Sequence, residues 1–148
     1  MDDYFFLEPA LIQRLTERLG DLVDGVYSRR NLAALLEGRV ETPAVYVLFD
    51  REVVPAGDGS RAGAQQVVEQ YWQVVLADRS YGDILAGGRG EAGPVLARIN
   101  QALQGWQPPV AQTFPLRKIS SPGATYDDSG LNLFSLSYAC RLVMTGQP

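Results

Sequence analysis

Apolar residues near the start of the chain recur with the period of a helix. These residues are Leu7, Leu11, Leu15 and Leu19, which would form one stripe along a helix. Polar residues occupy most positions between them, so the pattern predicts an amphipathic helix with one buried face. Pro9 suits the first helical position and Gly20 suits a C-terminal stop. We expect the apolar side of this helix to lie on a sheet.

Two further segments show helical signals. Asn31 can cap a short helix that ends at Gly38. A longer helix is predicted to start at Pro94 and to end near Gly105, before a pair of prolines. Its apolar face comprises Val95, Leu96, Ile99, Ala102, Leu103 and Trp106. This spacing predicts a second long helix that buries one side.

Other segments follow the period of a strand. Residues 44–54 are rich in β-branched and aromatic side chains between two prolines, which predicts a strand. Residues 131–144 alternate strongly, with nearly all even positions apolar, and form the best strand pattern in the chain. Shorter strands are predicted within 23–28 and over 116–120.

Residues 64–80 fit two patterns. A helical stripe would contain Val67, Val68, Tyr71, Trp72, Val75 and Leu76. Trp72, Val74 and Leu76 also alternate as one face of a strand. We favour a strand, because β-branched and aromatic residues dominate the run. A Gly-rich linker between two strand-like runs is also most simply a long hairpin.

Glycine-rich and polar connections separate these elements. Residues 55–63 contain three Gly and one Pro, which predicts a solvated arm longer than an ordinary hairpin turn. Residues 81–93 predict a loose connection and 121–130 a polar turn. The resulting order predicts an α+β fold, with helices packed on a mostly antiparallel β-sheet. Because no linker divides the chain, residues 1–148 are expected to form a single domain.

The composition excludes several kinds of chemistry. The 148 residues include no His, which removes Ser/His/Asp and Cys/His catalysis and zinc sites that need His. The 13 basic residues against 17 acidic ones argue against a nucleic-acid-binding protein. We expect no catalytic residue, no metal ligand and no cofactor, because neither the composition nor the motifs discussed below point to such a site.

Other sequence features bear on the location of the protein and on the state of its cysteine. No apolar run is long enough to span a bilayer, and the acidic start does not match a signal peptide. We expect the protein to remain in the cytoplasm of the cell that makes it, without a membrane partner. Cys140 has no partner for a disulfide and is expected to be a small buried apolar residue.

The remaining candidates for chemistry are weak. The carboxylate pairs Asp2–Asp3 and Asp127–Asp128 are expected to be solvated, because one lies at a terminus and the other in a turn. The glycine-rich run at 87–94 lacks the spacing of a phosphate-binding loop. Arg29 and Arg30 follow Tyr27, but one Arg pair does not make a nucleic-acid patch. An ion pair or a subunit contact is favoured there.

The length of the strands points to assembly. A terminal strand of about 14 residues would be about 46 Å long. A chain of this size has a radius of gyration of about 15 Å. Strands that extend past their own domain usually pair with a neighbouring chain. A hairpin that folds back on its own domain is the alternative.

A resemblance to a known family rests on the order and residue patterns of several segments. They are an N-terminal LxxxLxxxL helix, the strand PAVYVLFD, a Gly-containing loop, the run QYWQVVLADRS, the helix VLARINQALQGW and the alternating last strand. Together they resemble the tail terminator, or tail completion, proteins of long-tailed bacteriophages and prophages. The resemblance spans nearly the whole chain and includes no catalytic signature.

The resemblance implies a structural phage protein and no enzymatic activity. It implies a hexameric ring at the head-proximal end of the tail tube, assembled in the host cytoplasm and retained in the virion. The ring would stop tube growth and offer a surface to a head-completion or neck protein, while DNA passes through without specific binding. Candidate contacts with neighbouring subunits or with the tail tube protein are Asp58, Ser60 and Arg61 in the arm, with Arg29 and Arg30 at the rim.

Two other hypotheses stay open on the sequence. A related neck or head-completion connector would share the same size and texture, and its binding partner would be a portal or connector protein. A small enzyme or ligand-binding module would need Asp or Glu near Tyr138 or Trp72 in a defined pocket.

Overall fold

The fold is described by a computed structural model that covers residues 3–28, 42–55, 65–79, 92–110, 112–126 and 130–146. The predicted short helix at 31–38 lies outside these ranges, as do residues 56–63 of the predicted arm and 81–91 of the predicted loose connection. Within these ranges, no helix is both long enough and apolar enough to cross a membrane.

Two α-helices confirm the predicted helical stripes, except that Trp106 follows the end of the second helix. Helix α1 spans Leu7–Leu19 and α2 spans Ala92–Leu103. Both begin two residues earlier than predicted, so that Pro9 and Pro94 are third in their helices. The first four N–H groups of a helix have no partner within it, and proline therefore fits anywhere in the first turn. A 3-10 turn, Gly20–Leu22, follows α1.

The strands form one sheet in the order β1-β2-β3-β5-β4. Their ranges are Gly25–Ser28 for β1, Ala44–Val53 for β2, Gln65–Asp78 for β3, Arg117–Tyr126 for β4 and Asn132–Thr145 for β5. Strand β1 is parallel to β2, and the other neighbours are antiparallel. The prediction of an α+β fold with a mostly antiparallel sheet is confirmed.

The favoured strand within the ambiguous run at 64–80 is confirmed over Gln65–Asp78. Strand β3 pairs with β2 on one side and with β5 on the other. Its pairing with β5 runs from Gln65 opposite Thr145 to Asp78 opposite Asn132. A central strand gains hydrogen bonds on both edges, and this outweighs the helical spacing of its apolar residues.

The predicted polar turn at 121–130 is wrong over 121–126. These residues continue β4, which pairs with β5 as far as Tyr126 opposite Asn132. The pairing shifts register between Lys118 and Gly123, and Gly123 has a φ of 105°. Gly and Pro are tolerated at such irregularities in a strand that pairs on one side. Turn-forming residues here therefore mark an irregular strand.

The main hydrophobic core lies between the two helices and one face of the sheet. It contains the predicted helical stripes and the even-numbered residues of the two longest strands: Val68, Trp72, Val74 and Leu76 from β3, and Leu136, Tyr138, Cys140 and Leu142 from β5. The predicted buried face of the last strand is confirmed.

The opposite face of the sheet is apolar at one end only. A smaller buried cluster there contains Ala44, Tyr46, Val75, Ala77 and Leu131. Further along the same face, β3 and β5 carry charged residues in place of apolar ones. This face of the sheet is therefore apolar at one end and charged further along.

Cys140 provides a direct test of the core. Its side chain is 1% exposed, and burial raises the pKa of the thiol to about 11. We expect the native protein to resist alkylation by iodoacetamide at pH 8, because the thiolate is the reactive form. The unfolded protein should be labelled readily. Rapid labelling of the native protein, followed by mass spectrometry, would contradict the buried position.

Candidate interaction surface

The interface residues predicted from the sequence lie outside the described parts of the chain. Asp58, Ser60 and Arg61 fall in the segment between β2 and β3, and Arg29 and Arg30 directly follow β1. Their roles remain predictions. The structure does show the surface at the end of β2, where the first of these segments begins.

Exposed apolar side chains lie at the end of β2 that precedes the predicted arm. Tyr4, Phe5 and Val54 are all exposed there. The ring of Phe5 packs against Phe49 of β2, with centroids 5.0 Å apart. The nearby Glu52 carboxylate, together with burial, raises the pKa of the Tyr4 hydroxyl to about 12. Exposed aromatic and aliphatic groups that are held in position are typical of protein contacts.

A charged surface crosses the face of the sheet that lies opposite the helices. We call it the arginine platform and define it as Arg51, Tyr71, Glu69, Arg141 and Arg117. These residues come from β2, β3, β5 and β4, which are consecutive in the sheet. Cross-strand pairing places Arg51 opposite Tyr71 and Glu69 opposite Arg141. Four strands at about 4.8 Å spacing give the platform a width of about 14 Å.

Glu69 holds two of the arginines in place. Its Oε2 accepts a hydrogen bond from Nη2 of Arg117 at 2.8 Å, and its Oε1 accepts one from Nη2 of Arg141 at 3.1 Å. The Glu69 side chain is 7% exposed, whereas those of Arg117 and Arg141 are 60% and 53% exposed. The carboxylate is therefore buried beneath two guanidinium groups that face solvent.

The third arginine is held by an aromatic ring. The guanidinium carbon of Arg51 lies 4.5 Å from the centroid of the Tyr71 ring, within the range of a cation–π contact. The Tyr71 hydroxyl donates to Oε2 of Glu69 at 3.4 Å. Arg51 also pairs with Asp50 at 3.5 Å. The platform is thus one connected group of side chains.

The electrostatics of Glu69 follow from these contacts. Burial alone would raise the pKa of the carboxyl, but hydrogen bonds and charge attraction from Arg141 and Arg117 outweigh burial and hold that pKa below its ordinary value. Glu69 is therefore ionised at neutral pH, and it stabilises the fold in that form.

The lowered pKa predicts an acid-dependent loss of stability. A carboxyl whose pKa is lower in the folded state contributes stability above its ordinary pKa and loses it as pH falls through the folded value. We expect Glu69→Gln to reduce the free energy of unfolding by about 1–2 kcal/mol at pH 7, because it removes both ion pairs. The loss is limited because solvent screens the two exposed arginines. The difference from the wild type should shrink below about pH 4.

Urea unfolding at a series of pH values measures this effect. Glu17→Gln is the matched control, because Glu17 is an exposed carboxylate on α1. Equal acid dependence in the wild type and in Glu69→Gln would contradict the assignment.

A shallow groove lies on the helix side of the protein. It has a volume of about 230 Å³ and is lined by Ala10, Gln13, Arg14, Glu17, Trp106, Gln107 and Pro109. Arg14 lies over the Trp106 ring at 5.1 Å and donates from Nε to the Ala102 carbonyl at 2.9 Å. The volume is below the roughly 300–1,000 Å³ of typical ligand pockets, and Arg14 is already engaged within the protein.

The positions proposed for a ligand pocket lie inside the core. Trp72 and Tyr138 are each 1% exposed. The indole of Trp72 donates to Gln70 at 3.2 Å, and the Tyr138 hydroxyl donates to Asn100 at 2.9 Å. Neither side chain presents a surface to a ligand. Across the part of the chain that is described, no cluster of three or more Cys, Asp or Glu could hold a metal ion.

Sequence reasoning missed the arginine platform, although β3 and β5 each contained a signal. Glu69 is the only charged residue between 64 and 77, and Arg141 is the only one between 131 and 144. A single charge inside an apolar strand indicates a paired or functional group. The sequence could not show that these charges meet.

Comparisons with known proteins identify the family. The family model of the phage tail terminator protein matches residues 1–148. A solved chain from the virion of a native gene transfer agent particle has the same fold, with a TM-score of 0.58 and 16% sequence identity over 93% of this chain and 95% of that one. Comparison with curated proteins gave no match. Because the family model covers every residue, the chain belongs to the phage tail terminator protein family.

Proposed function

We propose that this protein forms a hexameric ring that caps the head-proximal end of a phage tail tube. The ring stops growth of the tube and provides the surface on which the head joins the tail. The proposal is supported chiefly by the match to the tail terminator family over the whole chain. No bond is made or broken in this role, and neither a metal nor a cofactor is required.

Closure of a ring requires two different surfaces on each subunit. Contacts that run head to tail around a ring are heterologous, so one patch must fit another patch that it does not resemble. In the described part of the sheet the two outermost strands differ in this way. Strand β1 has four residues and is parallel to its neighbour, whereas β4 has ten and is antiparallel and irregular. These unlike edges are compatible with heterologous contacts.

Termination requires a further asymmetry between the two faces of the ring. One face must fit the last ring of the tube, and the other must lack the surface that would accept another tube subunit. Individually weak contacts suffice, because six copies act together. We assign the contacts with neighbouring subunits or the tube to Asp58, Ser60 and Arg61, with Arg29 and Arg30 at the rim. The exposed Tyr4, Phe5 and Val54 lie where the first of these segments begins.

Electron microscopy of tail tubes assembled with and without the protein tests the proposal. We expect tubes of defined length bearing a terminal ring when the protein is present, and overlong tubes without it. Native mass spectrometry of the isolated ring gives the number of subunits. A protein that stays monomeric and does not bind tubes would overturn the proposal.

Deletion of residues 56–62 tests the contribution of the arm. This change removes Asp58, Ser60 and Arg61 but leaves the paired residues of β2 and β3 in place, so we expect normal thermal stability and impaired capping. The matched control replaces the same residues with an equally long Gly/Ser segment, which separates the loss of side chains from the loss of length. An unfolded deletion variant would show that the segment belongs to the core.

A further inference from the structure

We propose that the arginine platform binds a carboxylate-bearing segment of a neighbouring protein subunit. This proposal rests on the proposed assembly role, since only a protein that assembles presents this face of the sheet to a neighbouring subunit. Three guanidinium groups from three strands lie on this face, with side chains 61%, 60% and 53% exposed for Arg51, Arg117 and Arg141. The surface is therefore both charged and accessible.

The arginines are held before any partner arrives. A guanidinium group has five N–H donors, and Arg117 and Arg141 each contact Glu69 through a single nitrogen. Among the described residues, these two guanidinium groups bond to no other acceptor, so their remaining donors can contact a second anion. Glu69 already restricts Arg117 and Arg141, and Tyr71 restricts Arg51. Less conformational entropy is therefore lost when a partner binds. A surface arginine without such support would lose more.

The chemistry of the platform favours separate carboxylates over a nucleic-acid backbone. Glu69 lies between the arginines, and Asp50 pairs with Arg51, so a continuous row of phosphates would approach negative charge at both places. The whole chain carries a formal charge of −4, which repels a polyanion at long range. A carboxylate on a protein segment makes a short-range, bidentate contact with one arginine. A width of about 14 Å accommodates an extended segment with two such groups.

Binding of a labelled serine-rich peptide that carries two separated glutamates to the full-length protein tests the inference. Fluorescence anisotropy at low salt measures the affinity, and a short duplex DNA with the same label is the comparison. We expect the Arg51→Ala/Arg117→Ala variant to bind the peptide about tenfold more weakly. This variant retains the bridge between Arg141 and Glu69, so the buried carboxylate is not left unpaired.

Arg18→Ala/Arg98→Ala is the matched control. It removes the same charge from exposed residues on the helices, on the other side of the sheet, and should change the affinity less than about twofold. Melting temperatures of both variants verify that they are folded. An equal loss in the two variants would show that only net charge matters and would overturn the proposal.

Glu69→Gln separates positioning from charge. This change makes the surface more positive, so simple attraction would strengthen peptide binding. If Glu69 positions the arginines, binding weakens instead, and that is the expected result. Unchanged or tighter binding would overturn the positioning role of Glu69.

The remaining outcomes are equally decisive. Preference for duplex DNA over the peptide would replace the protein partner with nucleic acid, and no binding of either probe would remove the site. Tube capping is scored separately in the same variants. Normal capping with no peptide binding would refute only this inference, whereas a wild-type protein that neither forms rings nor caps tubes would refute the proposed function.

Discussion

Replacing Trp72 with alanine is expected to lower the free energy of unfolding by about 3–5 kcal/mol. The indole is 1% exposed and lies in β3, the strand that pairs on both edges. Its ring meets Phe49 edge to face, with centroids 5.3 Å apart. Alanine would leave a cavity at the contact between the sheet and the helices. Domains of this size are stable by only about 5–15 kcal/mol, so the variant should be close to unfolding.

Urea denaturation followed by circular dichroism measures the effect. Phe114→Ala is the control, because this aromatic side chain is 47% exposed and its removal should cost less than about 1 kcal/mol. Trp72→Phe keeps most of the ring volume but loses the N–H donor to Gln70. A loss below about 1 kcal/mol for Trp72→Ala would contradict the position of this residue in the core.

Replacing Leu15 with alanine is expected to lower the free energy of unfolding by about 2–5 kcal/mol. Leu15 is fully buried in the middle of the α1 stripe, within the cluster that joins the two helices to the sheet. The substitution removes methyl groups from that cluster without lowering helix propensity. The loss therefore reports packing of α1 against the rest of the fold.

The neighbouring position on the same helix provides the control. Thr16 is exposed, and its hydroxyl donates to the Ile12 carbonyl one turn earlier at 2.7 Å. Thr16→Ala should change stability by no more than about 0.5 kcal/mol. Thermal denaturation of both variants makes the comparison. Similar melting temperatures for Leu15→Ala and the wild type would show that α1 is not packed as described.

Local patterns were sufficient wherever one element buried one face. The spacing of Leu7, Leu11, Leu15 and Leu19 predicted α1, and the even positions from 132 to 144 predicted the buried face of β5. Both predictions succeeded because a periodic apolar face must be covered in any fold that contains the element. Helix starts were less exact, since Pro9 and Pro94 are compatible with several positions in a first turn.

Local patterns failed where a neighbouring strand decided the outcome. Residues 121–126 contain the turn-forming residues Pro122 and Gly123, yet they extend β4 because β5 provides a partner along that length. The run at 64–80 fitted two patterns for the same reason, and the favoured strand is confirmed over Gln65–Asp78, where partners lie on both edges. The hydrogen bonds that stabilise a strand come from residues far away in the sequence, so a short stretch of sequence cannot reveal them.

By itself, the sequence determined the α+β class, the two amphipathic helices, the strongest strands and the lack of any His-based chemistry. Only the tertiary structure decided the register, and the register creates the arginine platform. Glu69 meets Arg117 and Arg141 from positions 48 and 72 residues away. Nothing in the sequence around any one of these charges shows that the three meet. Antiparallel pairing of β3, β5 and β4 brings them onto one face, and a shift of one residue would place them on opposite faces.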